Sequence, residues 1–309
     1  MANPRWRVAS APVSFGVDEV LMGEAWMPEP QPMLDWMVDI GYEGTELGPP
    51  GFLGTGPEVH ERLTARGLAL VGSFIPQHFS RAERVEEDRV ILRDQLQLIV
   101  DATPAGSRPL AILSDHFDEP DRIFYAGRIA DHPETWLSAS RFDTLIDNLH
   151  RTAEICRAAG LETVLHPHAA TYVETADEIA RVMDRIDPSL LGLCLDTGHF
   201  RFGGADPAQA VHDYGDLVRH VHIKDCRMSV IAGAKRDEVG LEEALKRGVF
   251  CPLGVGDAGI EAVLDALRAT AYQGWLVVEQ DQGLTVADTP ESVVAGQRAN
   301  LEYLRRLGV

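Results

Sequence analysis

Short apolar runs alternate along this chain with longer stretches in which apolar residues recur at helical spacing. The run over 190–195 is the clearest of the short ones. It ends abruptly in Asp196, Gly198 and His199. An apolar run of that length bounded by turn residues predicts a strand buried on both faces. The same layout predicts further strands over 6–11, 42–48, 68–75, 110–113, 161–165, 217–223 and 275–278. Between them, helical spacing predicts helices over 31–40, 57–66, about 83–101, 139–159, 175–186, 206–214, 257–270 and about 290–306. In the first of these, Met33, Leu34, Met37 and Ile40 share one face. Gly41, Gly67 and Gly160 close three of the helices, and Thr175 is placed to cap a fourth.

Two stretches break the rhythm. Residues 115–138 are polar and irregular. Residues 226–256 hold a predicted helix near 238–247 and a glycine-rich turn over 252–256. Excursions of this length either cover a binding site or form a subunit contact, so a homo-oligomer stays open. The glycine-rich turn precedes a helix, where it could cradle a phosphate, but no Lys or Arg stands beside it.

Eight strands alternating with helices, with no break in composition, predict a parallel α/β sheet. Eight such units close into a (β/α)8 TIM barrel, here one domain over 1–309. The alternative is an open doubly wound sheet, but no GxGxxG follows the first strand.

Charge narrows the partners. The chain has 28 basic and 48 acidic residues, a formal net charge of −20. Phosphate contact needs a basic face, so neither nucleic acid nor an anionic membrane is expected. No apolar run reaches the ~18–20 residues that span a bilayer, and the first ten residues hold no signal-like apolar segment. The four cysteines lie far apart with no CxxC spacing, which fits a cytoplasmic protein with reduced thiols.

Six predicted strands end in ionisable residues: Glu46, Asp115 with His116, His166 with His168, Asp196 with His199, His222 with Lys224, and Glu279 with Asp281. In a barrel these ends meet at one mouth. An ion pair or a cap would account for any one of them; six at the same end predict a site. Histidines with carboxylates suit Mn, Fe, Co or Zn better than Ca or Mg, and no thiol ends a strand to make a structural zinc site. Lys224 and Arg227 could meet an anionic or hydroxyl-rich substrate, or pair with Asp225 or Asp196.

The chain resembles the xylose-isomerase-like barrel superfamily, and within it the inosose (2-keto-myo-inositol) dehydratases. The resemblance rests on segments spread from the second predicted strand to the eighth. They are Gly44-Thr45-Glu46-Leu47-Gly48, His166-Pro167-His168 with 172–175, Leu195-Asp196-Thr197-Gly198-His199, the run from His220 to Asp225, the run 248–254, and Val278-Glu279-Gln280-Asp281. The third and fourth are shared across the superfamily, whereas the first and fifth point to the dehydratase branch.

The resemblance implies a divalent ion, often manganese in these barrels, with Co2+, Zn2+ or Fe2+ as alternatives. It carries over Asp196, His222 and Glu279 as ligands. His166 stands where the epimerases of the superfamily have a Glu, and His168 is an alternative for that place. The implied activity is a lyase that dehydrates a cyclic polyhydroxy ketone through an enolate. His168 and Glu46 would be acid and base in either order. Lys224 completes the catalytic set and, with His199, places substrate hydroxyls. Arg227 and His116 are further substrate-binding candidates. The alternatives are a keto-sugar isomerase or epimerase, a lyase acting on a 3-keto-glycoside, and a non-catalytic sugar-binding barrel.

Overall fold

The computed structural model describes residues 6–17 and 26–309, so the opening residues read above for a signal segment lie partly outside it. Eight parallel strands close a ring in the order β1-β10-β7-β6-β5-β4-β3-β2. They are β1 (Val8–Ser10), β2 (Gly44–Glu46), β3 (Ala69–Gln77), β4 (Leu110–Asp115), β5 (Glu162–Leu165), β6 (Leu191–Asp196), β7 (Val218–Ile223) and β10 (Leu276–Val278). The seam is β1 against β10, with Ala9 opposite Val277. β8 (Asp225–Cys226) and β9 (Phe250–Cys251) form a separate antiparallel ribbon.

The outer layer holds α1 (Pro30–Ile40), α2 (Gly56–Arg66), α3 (Val85–Ala102), α5 (Ala139–Ala158), α6 (Ala176–Met183), α8 (Pro207–Tyr214), α11 (Ile260–Arg268) and α12 (Pro290–Arg306). The expected (β/α)8 barrel is present, and every strand and helix predicted for it has a counterpart. Four further α-helices stand among the described residues: α4 (Pro120–Tyr125), α7 (Thr197–Phe202), α9 (Met228–Arg236) and α10 (Leu241–Lys246).

Side chains alternate across each strand, so residues two apart share a face. Leu110, Ile112, Val164 and Cys194 make one small apolar cluster inside the ring, and Ala9, Ala11, Val71 and Val277 make another. Their neighbours Ala111, Leu113, Leu165, Leu193 and Leu195 join the large cluster shared with the helices. The inward series ends β6 on Asp196, two residues after Cys194, and past the ends of β5 and β10 it gives His166 and His168 from Val164, and Glu279 and Asp281 from Val277. On β7 the same series is His220 and His222, with Lys224 just past its end.

Both excursions hold more structure than their sequence predicted. Residues 115–138 carry α4 and buried Arg122, whose guanidinium pairs with Glu178 at 2.8 Å and also donates to the Thr171 carbonyl. Residues 226–256 carry α9 and α10 between the two ribbon strands. The glycine-rich turn is closed to phosphate by the chain itself. Gly254 and Gly256 N–H donate to Asp225 Oδ2, and Ala258 N–H donates to Oδ1.

Candidate active site at the carboxyl ends of the strands

A cavity opens at the carboxyl end of the barrel. His166, His168, His199, His222, Lys224 and Glu279 line its polar floor, with Glu46 and Asp281 beside them. The two excursions supply apolar walls: Phe117 from the first, and Leu241, Leu245 and Phe250 from the second.

Donor atoms of His166, Asp196, His222 and Glu279 lie within 4.8 Å of one another, and all four residues are buried. Asp196 divides its carboxylate. Oδ1 caps α7 by accepting from His199 N–H at 2.8 Å, whereas Oδ2 makes no hydrogen bond. His222 turns its Nε2 toward Glu46 at 2.9 Å, so its Nδ1 is left bare, 3.0 Å from Glu279 Oε2 and 3.6 Å from Asp196 Oδ2. His166 Nε2 stands 3.5 Å from the same Asp196 oxygen. Lone pairs buried against one another need a cation among them. The donor set of two imidazoles and two carboxylates therefore fits a divalent transition ion.

In the structure that charge comes from Lys224. Its Nζ is 3.2 Å from Asp196, 3.1 Å from Glu279 and 2.8 Å from Asp281. Burial opposes the ammonium, but the three carboxylates outweigh it and hold its pKa well above the usual lysine range. Reciprocally, Asp196 and Glu279 stay low against their burial, Asp196 through Lys224 and Glu279 through His222 and Lys224. Gly198 makes room for this side chain, since a Cβ there would lie 2.7 Å from Lys224 Cγ.

His168 donates Nδ1–H to the Ala169 carbonyl at 2.8 Å, which leaves Nε2 as the unprotonated nitrogen. Burial, then the charges of His199, His166 and Lys224, keep this imidazole neutral by holding its pKa well below the usual histidine value. Its ring lies against His199, centroids 3.8 Å apart. Cys194 lies under the metal-type cluster within reach of His166 and His222, a thiol that strand-end reasoning did not foresee. Burial pushes it up to about 11, so it stays protonated.

The structure brings eight of the ten sequence-derived candidates together. Arg227 and His116 are the exceptions, and neither lines the cavity. Arg227 donates to the Gly248 carbonyl at 2.7 Å and so braces the second excursion. His116 stacks on His78, centroids 4.1 Å apart, beside Asp118. Two participants were given no role from the sequence, Asp281 and His220. Both lie two residues from a chosen candidate on the inward series, which is the signal that would have found them.

Fold and site together define a (β/α)8 barrel with a buried metal-type cluster and adjoining titratable groups at its carboxyl end. A sequence profile of the xylose isomerase-like TIM barrel family matches residues 34–307, and the chain belongs to that family. It is 33% identical over 292 residues to the inosose dehydratase of Geobacillus kaustophilus (strain HTA426), covering 92% of this chain and 90% of that protein. Among solved structures, it superposes on the IolI protein with a bound zinc atom at a TM-score of 0.69 and 13% identity, covering 97% of each chain. It superposes on the probable 3-DHS dehydratase AsbF from Bacillus anthracis at a TM-score of 0.64 and 14% identity, covering 96% of this chain and 98% of that one.

Proposed function

We propose that this barrel is a divalent-metal-dependent carbon–oxygen lyase that dehydrates a cyclic polyhydroxy ketone such as 2-keto-myo-inositol. The observation that carries the reading is the buried cluster of ligand atoms on His166, Asp196, His222 and Glu279, placed beside a neutral His168 and a charged Lys224. The inosose dehydratase relative supports the substrate class. Those four residues would hold the ion, Mn2+ in our reading, with Co2+, Zn2+ or Fe2+ as alternatives. When bound, it supplies positive charge where the ketone oxygen becomes an enolate oxygen.

The chain's own groups do the rest. His168 Nε2 takes the proton α to the ketone. Lys224, held charged by Asp281, gives a proton to the β-hydroxyl as the carbon–oxygen bond breaks, so the group leaves as water. His199 sits between the two and binds a substrate hydroxyl. The apolar walls exclude bulk water from the reacting face. The substrate is a small molecule, and the enzyme works in the cytoplasm.

Incubation of 2-keto-myo-inositol with the Mn2+-loaded protein in deuterated water tests the reading. The expected product is a dione formed with loss of water. Recovery of an epimerised, deuterium-labelled ketone with no dehydration would replace the lyase by an isomerase. No reaction at all would refute both.

A further inference from the structure

The side chain of Glu46 is turned toward two imidazoles. Its Oε1 receives His220 Nε2 at 2.8 Å and His222 Nε2 at 2.9 Å. Glu46 and both histidines are at most 2% exposed. The pairing between β2 and β3 slips by one residue between Thr45 and Glu46, and a slip of this kind re-aims the side chain that follows it.

One carboxyl oxygen met by two ring nitrogens at hydrogen-bond distance accepts from both, so each imidazole presents N–H at Nε2. With Nε2 engaged by Glu46, Nδ1 is the ring nitrogen left to meet an ion, and it faces Asp196 and Glu279. His220 is fully buried and lines no part of the cavity. It ties the same Glu46 oxygen from inside the barrel, so the carboxylate cannot swing away from His222. A group held in this way orients a neighbour and does not shuttle protons.

We infer that Glu46 and His220 form a positioning pair that fixes the tautomer and aim of His222 toward the metal, rather than acting as the acid or base. This rests on the metal centre proposed above. A carboxylate behind a ligating histidine typically strengthens metal affinity about 10- to 100-fold.

The test uses Mn2+ or Zn2+ alone, titrated into the full chain against a chelating dye, with no substrate present. Glu46→Ala should raise the metal Kd about 10- to 100-fold. Glu46→Gln keeps the shape and an acceptor oxygen, and should raise it about three- to tenfold. His220→Phe removes the second N–H and should raise it by less than Glu46→Ala. The double variant Glu46→Ala/His220→Phe should be no weaker than Glu46→Ala, because His220 acts through Glu46. At saturating metal, Glu46→Gln should lose less than about tenfold in kcat, whereas a lost proton-transfer group costs about 10²–10⁴.

Should Glu46→Ala fail to fold, the isosteric Gln variant carries the test. An unchanged Kd in Glu46→Gln, with kcat down by the larger factor, would make Glu46 the acid or base and overturn the inference. Equal affinities in wild type and all variants would overturn it alone. A wild-type chain that binds no metal would remove the metal centre itself.

Discussion

At the scale of single residues, period-two alternation made most of the site legible. His166, His168, His222, Lys224, Glu279 and Asp281 lie on inward series that can be counted from apolar strand positions. The rule failed just past β4 and β8. His116 follows β4 directly and Arg227 follows β8, and local contacts with His78 and Gly248 decide their directions. Burial of charge was less legible still. Glu174 is 2% exposed and accepts from Ala170 N–H at 2.6 Å and Gly127 N–H at 2.8 Å. Burial pushes its pKa from 4.5 up to about 7, against the lowering effect of Arg122 and those two donors. The folded state therefore keeps this proton while the unfolded chain loses it. The associated stability is complete below pH ~4.5 and falls as pH rises through about 7. Glu174→Gln should remove a pH-dependent loss on the order of 1–3 kcal/mol over that window. Denaturant melts of both proteins at pH 4.5, 6 and 7.5 give the difference. Parallel stability curves would show that Glu174 does not titrate there.

At the scale of elements, the strands and long helices were legible because apolar runs and helical faces of that length have few other readings. The short pieces were not. α7 begins at the residue after β6, where Asp196 serves as its cap, and no apolar periodicity marks six residues. The ribbon of β8 and β9 joins segments more than twenty residues apart, so no local signal shows it. The packing of the two excursions on each other was equally hidden. Gly240 precedes α10, and a Cβ there would lie 2.6 Å from the Ile123 carbonyl oxygen and 3.1 Å from Phe124 Cα. Both of those atoms belong to α4 and to backbone, so neither moves cheaply. Gly240→Ala should part the excursions, raise KM about tenfold and change kcat less. It should also speed proteolytic nicking within 115–138. An unchanged KM and cleavage rate would mean the two excursions do not act as one cover.

At the scale of the whole molecule, barrel closure was legible from the count of strand–helix units, since eight such units satisfy every strand edge. The direction in which the excursions fold over the mouth was not, because it depends on contacts such as buried Arg122 with Glu178. Metal should couple to the stability of the entire fold, because the four clustered residues come from four strands. A ligand held at 100 times its Kd adds about 2.7 kcal/mol, enough to raise the melting temperature by several degrees. Chelation should reverse the gain, and Asp196→Ala should show none. Identical melting of wild-type protein with Mn2+ and with chelator would argue against an ion at this site.

The seam between β1 and β10 bears on how the protein is made. Synthesis delivers His166 first, then Asp196, then His222, and Glu279 last, just beyond the strand that closes the ring. A nascent chain on the ribosome can gather three of these groups while the barrel is still an open sheet. The fourth arrives only when β10 finds β1 and β7 together. On the proposed ligand set, tight capture of an ion would report that the ring has shut. A half-made barrel, with its central strands exposed, would hold metal only weakly and would release it to any competing chelator in the cell.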